Sequence, residues 1–275
     1  MVAIDLDGTL LDSRSAVSPA NCRALKEALR RGVEIAIVTG RRFQSAQRVL
    51  HNLDIPVTLI TSNGAMVRSP SGEVLHRNFL PRSTARRVLE AAREYRPYAV
   101  VIFDQPGRGQ VTMEDCAIPE GPLAWYQTHS PDHLLQIPEL EFSLTCDPVQ
   151  LMFGGPPERV SPIEPYLQSR FAASEIHLTW TKYLGKNLSI LDVMNSGCTK
   201  GNAVGAWARQ RKIDSTQVMA IGDNFNDLEM LQFAGVPVVM ANSTPGLARD
   251  GWEMTSSNDE EGVARAVEKF VLSEI

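Results

Sequence analysis

The sequence predicts an α/β protein in which a parallel-sheet core is interrupted by an inserted α+β segment. Three observations predict this. Short apolar runs rich in Val and Ile alternate with amphipathic stretches from residue 2 to residue 61. From residue 82 to residue 186 that alternation is lost. From residue 188 it returns and continues toward the end of the chain. The expected division is therefore a core of residues 1–81 and 187–275 and an insert of residues 82–186.

Taken in order, Val2-Ala3-Ile4 is an apolar run that ends in Asp5-Leu6-Asp7-Gly8-Thr9. It reads as a buried strand with a turn at Gly8. Ser18-Pro19 resembles a cap followed by proline at the first helical position, so a helix over 19–31 follows and stops at Gly32. A strand over 33–39, a helix over 43–53 and a strand over 57–61 complete a βαβαβ pattern, which demands parallel strands and right-handed crossovers. Ser62-Asn63-Gly64-Ala65 ends that strand, and a hairpin of 65–68 against 74–79 turns at Pro70-Ser71-Gly72. In the insert the reading is a helix over 83–95, strands near 98–103 and 110–114, a strand near 149–153, a helix over 157–170 and a strand near 175–181. Residues 119–148 are rich in proline and show no clean period. The second half of the core reads as a strand over 188–193, a helix over 199–211, a strand over 217–221, a helix over 228–233, a strand over 236–240 and a closing helix over 262–272.

The whole chain has 275 residues, 43% hydrophobic and 21% charged, with net charge -5. That balance belongs to a globular protein and argues against a basic nucleic-acid footprint or a polybasic membrane surface. Asp5 and Asp7 interrupt any apolar leader, and no run reaches the ~18 apolar residues of a membrane span. Cys22, Cys116, Cys146 and Cys198 are scattered without a CxxC pair, as free thiols in a reducing compartment would be. The expectation is a cytoplasmic protein with no nucleic-acid or membrane partner; nothing in the sequence bears on oligomeric state.

Four polar clusters fall at expected strand ends or helix starts. Asp5 and Asp7 lie two apart after the first strand, where open α/β sheets bind ligands. Such a pair also occurs in plain turns, where Asp caps a backbone amide. Held close together, the two charges call for a counter-cation, and a hard dication such as Mg2+ suits carboxylate oxygens. Thr39-Gly40-Arg41 follows the second strand and offers a hydroxyl and amides to an anion, or simply a helix cap. Lys200 opens a helix, where the macrodipole prefers anions; it is either a solvated lysine or one aimed at an anion held by the same helix end. Gly222-Asp223-Asn224-Phe225-Asn226-Asp227 packs oxygen ligands into six residues after a strand, a density that Mg2+ accepts and that a dipole-stabilised helix start also tolerates.

In this order, Asp5-Leu6-Asp7-Gly8-Thr9, Thr39-Gly40-Arg41, Lys200-Gly201 and Gly222–Asp227 resemble the four motifs of the haloacid dehalogenase superfamily. Ser62-Asn63-Gly64-Ala65 and an insert of about a hundred residues between the second and third motifs resemble its Cof-type branch. The resemblance implies a Rossmann-like core, an inserted cap that sets substrate specificity, and hydrolysis of small phosphorylated metabolites, with sugar phosphates the expected class. It makes Asp5 the nucleophile that becomes an aspartyl-phosphate and Asp7 the acid and base. Thr39, Gly40, Lys200 and Asn226 would bind the phosphoryl group, and Arg41, Asn63 and Gly64 the substrate. Mg2+ would be held by Asp5, the main-chain carbonyl of Asp7, and Asp223, with Asp227 supporting it from behind. One departure is that Met1 stands almost in the first strand, where family members usually have a few preceding residues. A phosphomutase and a catalytically silent phosphate-ligand-binding regulator are the alternatives. No cluster of arginines in the insert suggests a grip on a second phosphate, and none of the motifs is broken. A dehalogenase fits less well, because Asp7 is the residue that phosphoryl transfer uses.

Overall fold

In the computed structural model, which describes residues 1–118, 121–183 and 187–273, the opening apolar run is strand β1 (Val2–Asp5), buried at every position. Helix α1 (Pro19–Arg30) follows, with the Ser18 side chain accepting from the Asn21 amide and Gly32 adopting φ +80° just beyond the end. Then come β2 (Ile35–Val38), α2 (Phe43–Leu50) and β3 (Thr58–Thr61). The predicted hairpin is β4 (Met66–Arg68) and β5 (Val74–Arg77).

The inserted part contains α3 (Arg82–Ala91), β6 (Ala99–Ile102), β7 (Val111–Glu114), α4 (Leu123–His129) and β8 (Leu134–Ile137). It continues with β9 (Gln150–Gly155), α5 (Pro157–Val160), α6 (Ile163–Gln168), β10 (Ile176–Tyr183) and β11 (Leu188–Asn195). The core resumes with α7 (Lys200–Gln210), β12 (Met219–Gly222), α8 (Leu228–Phe233), β13 (Val236–Met240), β14 (Glu253–Thr255) and α9 (Gly262–Val267). The chain divides into two units, Met1–Arg77 with the residues from Thr199 onward, and Asn78–Cys198.

The core sheet has the order β14-β13-β12-β1-β2-β3-β4-β5. All pairings from β14 to β3 are parallel, and β4 and β5 extend the edge antiparallel. The strands alternate between two cores, as a sheet covered on both faces requires. Val2 and Ile4 pack with α1 and α9 on one face, and Ala3 packs with α7 and α8 on the other. The chain moves outward from β1 through β2 and β3, then returns to β12 on the other side. This is the doubly wound order, and its reversal lies at the carboxyl ends of β1, β2 and β12, where such sheets bind ligands.

The second unit has a six-stranded sheet, β10-β11-β9-β6-β7-β8, antiparallel except for β7 with β8. Its own core gathers α3, Leu151, Phe153, Ile163, Leu167 and Leu191.

The structure corrects the sequence reading at several places. The strand expected at 188–193 as the return of the core is β11, which pairs antiparallel with β10 and β9 in the inserted sheet. The boundary therefore falls at 198/199 rather than 186/187, and at 77/78 rather than 81/82. A local antiparallel partner won over a distant parallel one, and alternation alone does not say which sheet a strand joins. The helix over 157–170 is two short helices, because Pro162 and Pro165 withhold amides from the ladder. The helix over 83–95 ends at Ala91, where the Arg96 side chain donates to the Leu89 carbonyl at 3.2 and 3.0 Å. The unread stretch contains α4, β8 and a 3-10 turn at Leu140–Ser143 among its described residues. β14 was missed. No helix among the described residues is long and apolar enough to cross a membrane.

Candidate active site

Asp5 is the last residue of β1, Thr39 directly follows β2, and Asp223 directly follows β12. Adjacent parallel strands thus bring three distant segments to one end of the sheet. Lys200 is the first residue of α7 and is almost fully buried. Its Nζ donates to Asp5 Oδ1 at 2.5 Å and to Asp227 Oδ1 at 2.6 Å. The other Asp227 oxygen accepts from the amides of Asp223 and Asn224 at 3.0 and 3.1 Å, so this carboxylate also ties the loop after β12. Thr9 Oγ1 donates to Asp223 Oδ1 at 3.0 Å. Gly8 makes this approach possible: its φ is +83°, and a Cβ there would lie 2.5 Å from Asp223 Oδ2.

One carboxylate oxygen from each of Asp5, Asp223 and Asp227 lies within 4.8 Å of the others. All three residues are buried, and a single ammonium, Lys200, faces two of them. Burial, then the Asp227 charge, pushes the Asp5 carboxyl up to about 7 despite Lys200. Burial, then Asp5 and Asp227, raises Asp223 well above the usual carboxylate range. Burial alone would lower Lys200, but Asp227 and Asp5 together raise it, so it stays a cation. Negative charge in excess of its partner, carried on hard oxygens in a buried place, is the donor set that fits a hard divalent cation. Asp227, expected to support the metal from behind, has one oxygen on Lys200 and the other on two loop amides.

Asp7 stands apart from that cluster. Its two oxygens accept from Arg41 Nε at 2.7 Å and Nη2 at 2.5 Å. Thr39 Oγ1 accepts from the Arg41 amide at 3.0 Å, which leaves the hydroxyl hydrogen to donate elsewhere. Asn63 is buried at φ +52°, donates its amide to the Thr39 carbonyl at 3.0 Å, and accepts from Asn226 Nδ2 at 3.0 Å. Gly40 sits where a Cβ would meet Asn63 Oδ1 at 3.1 Å. Gly64 is packed against the start of α7: a Cβ there would lie 2.4 Å from the Thr199 carbonyl.

The profile of the haloacid dehalogenase-like hydrolases matches residues 2–267. The chain belongs to this family. Among relatives of this hydrolase, a protein named HMP-PP phosphatase from Serratia proteamaculans (strain 568) is 31% identical over 247 residues, spanning 90% of this chain and 85% of its own. Phosphatase YwpJ of Bacillus subtilis (strain 168) is 28% identical over 291 residues, spanning 98% of this chain and 99% of its own. A solved haloacid dehalogenase-like hydrolase from B. subtilis shares the fold with a TM-score of 0.81 at 23% identity, over 98% of this chain and 99% of that one.

Three contributors to the hydrolase site escaped the sequence reading. Thr9 lay inside the first motif but was given no role. Asn242 Nδ2 donates to the Gly8 carbonyl at 2.8 Å, and the Thr244 amide donates to the Asp223 carbonyl at 2.8 Å. Both come from the loop after β13, whose first residues include Asn242-Ser243-Thr244. The strand-end rule that singled out the other clusters applies equally there.

Proposed function

We propose that this haloacid dehalogenase-like hydrolase is a Mg2+-dependent phosphatase of small phosphorylated metabolites, with sugar phosphates the first class to test. The observation that carries the reading is the meeting of Asp5, Lys200, Asp223 and Asp227 at one sheet end with Asp7 beside them. The phosphatase names of the two relatives support the same activity. The net charge of -5 argues against a nucleic-acid partner, and the scattered free cysteines support a cytoplasmic enzyme.

Asp5 attacks phosphorus with a carboxylate oxygen. The Asp5–phosphorus bond forms, the ester phosphorus–oxygen bond breaks, and the leaving oxygen takes a proton from the Asp7 carboxyl. Asp7, now a carboxylate, accepts a proton from water as that water attacks phosphorus, which frees Asp5 and inorganic phosphate. Splitting one hard displacement into two easier ones is the gain from a covalent intermediate. Lys200, the Thr39 hydroxyl, the Gly40 amide and the Asn226 amide group hold the phosphoryl oxygens and offset their charge. Asp5, the main-chain carbonyl of Asp7, and Asp223 are the groups that would hold Mg2+, with Asp227 supporting them from behind; the ion when bound supplies charge neutralisation on the phosphoryl oxygens. Selection among esters is assigned to the inserted unit.

The test is phosphate release from a panel of phosphorylated metabolites with Mg2+. Asp5→Asn is expected to lower turnover by about a thousandfold or more, and chelation with EDTA to abolish it. Undiminished release by Asp5→Asn would overturn the mechanism.

A further inference from the structure

The turn after β3, Ser62-Asn63-Gly64, has a backbone that its residue types disfavour. Ser62 and Asn63 stand in succession at φ +49° and +52°, ahead of Gly64 at +102°. Residues with a Cβ enter this left-handed region rarely and then singly, asparagine among the most readily. Strain of this kind persists only where the surroundings over-determine it, and such places cluster at functional sites. All three residues are buried, so packing holds the turn in place.

The segments assigned to phosphate binding converge on this turn. The Asn63 amide donates to the Thr39 carbonyl at 3.0 Å, and the Ser62 amide donates to the Arg41 carbonyl at 2.9 Å, so the turn is fastened to Thr39–Arg41 at two points. Gly64 abuts the Thr199 carbonyl, one residue ahead of Lys200. Asn63 Oδ1 accepts from Asn226 Nδ2 at 3.0 Å, and both residues are buried. The last bond has a directional consequence. A carboxamide donates at one end and accepts at the other, and its NH2 carries two hydrogens. An acceptor facing Asn226 Nδ2 fixes which end lies on that side and leaves the second hydrogen for a phosphoryl oxygen. Turned the other way, Asn226 would present a lone pair to an anion and repel it. The strained backbone of Asn63 serves both bonds at once, its amide on Thr39 and its Oδ1 on Asn226.

We propose that Asn63 is a positioning residue for the phosphoryl group, orienting the Asn226 carboxamide and tying it to the Thr39 turn so that both are set before an ester arrives. The proposal rests on the reading of Asn226 as a phosphate holder. It gives the protein a reason to keep a strained turn in a buried place, since groups held in advance lose less freedom on binding. Asn63 then serves every ester alike, through the phosphoryl group, rather than the leaving group of any one of them.

The test reads inhibition by inorganic phosphate in Mg2+, together with kcat/KM on 4-nitrophenyl phosphate and on the alkyl phosphate turned over fastest in the panel above. Asn63→Gly removes the carboxamide and suits the left-handed backbone. Asn63→Ser removes it with a residue type that the adjoining Ser62 already places in that conformation. Each is expected to weaken phosphate inhibition about fivefold and to lower kcat/KM on both esters by a similar factor. Asn226→Ala should weaken inhibition at least as much. The double variant, Asn63→Gly with Asn226→Ala, should stay within about twofold of Asn226→Ala alone, because the first change acts through the second residue. Losses that multiply in the double variant would overturn the proposal. A fall on one ester only would overturn it too, since Asn63 would then be touching the leaving group. A role in folding alone would lower the melting temperature and leave phosphate inhibition unmoved, and that result also counts against it. Unchanged inhibition in Asn226→Ala is a separate failure: it would remove Asn226 as a phosphate holder, and the proposal with it.

Discussion

At the scale of single residues, Lys200 shows how a local rule is broken for a reason. A lysine in the first turn of a helix opposes the macrodipole. Here it is buried, and its ammonium lies between Asp5 and Asp227 rather than in solvent. The carboxylates around it make the cluster sensitive to pH. Burial, then Asp227, pushes Asp5 from 3.8 to about 7, and Asp223 shifts in the same direction through burial and Asp5. The sign follows from comparing folded and unfolded chains. Below about pH 4 both keep the proton. As pH rises, the unfolded chain releases its proton first, so folding stability drains away until the folded group ionises near 7. In EDTA, the melting temperature should fall as pH rises across this window. Mg2+ should restore stability, and the increment should be larger at about pH 7.5 than at about pH 5, because cation and protons compete for the same oxygens. Thermal melts at both pH values, with and without Mg2+, check this; a larger Mg2+ increment at the lower pH would contradict it.

At the scale of elements, the inserted sheet depends on a buried charge triad. Arg96 Nη1 donates to Glu141 at 2.8 Å and its fork also bonds Glu114, while Leu140 donates its amide to Glu114 at 2.9 Å. The group joins β7, the turn at Leu140–Ser143 and the end of α3, all three side chains being buried. Arg96→Met leaves two buried carboxylates without a cation and should cost about 3–5 kcal/mol in urea unfolding. Burial pushes Glu141 up, but the Arg96 bonds outweigh it and hold the carboxyl below its ordinary 4.5. Its contribution is therefore present above about pH 4.5 and lost as pH falls below that value. None of this was legible in the sequence, where nothing distinguishes Arg96 from the other arginines of the insert. The core was legible because its strands are continuous apolar runs with polar residues at their ends, which yields Asp5, Thr39 and Asp223 together. The insert resisted for a physical reason: its sheet is assembled from antiparallel neighbours whose alternation says nothing of partner. β11 reads like a core strand until its pairing with β10 is seen.

At the scale of the whole chain, the question is how a second fold sits inside the first without unmaking it. An insertion is tolerated when its two ends lie close together, so that the host loop need not stretch. The ends here do: Asn195 Nδ2, close to the second end, donates to Asn78 Oδ1, at the first, at 2.7 Å. The inserted unit also has a hydrophobic core of its own, made by α3, α6 and one face of its sheet. On the other face Tyr126 of α4 is buried with its hydroxyl 3.8 Å from Met152 Sδ. With roughly 120 residues, the unit is of a size at which single domains fold alone. Residues 78–198 expressed by themselves should therefore fold cooperatively, with dispersed amide resonances and a single urea transition that Arg96→Met shifts to lower denaturant. Collapsed, undispersed spectra from that fragment would show that its strands need the core to be ordered, and would remove the argument that the two units fold as separate bodies.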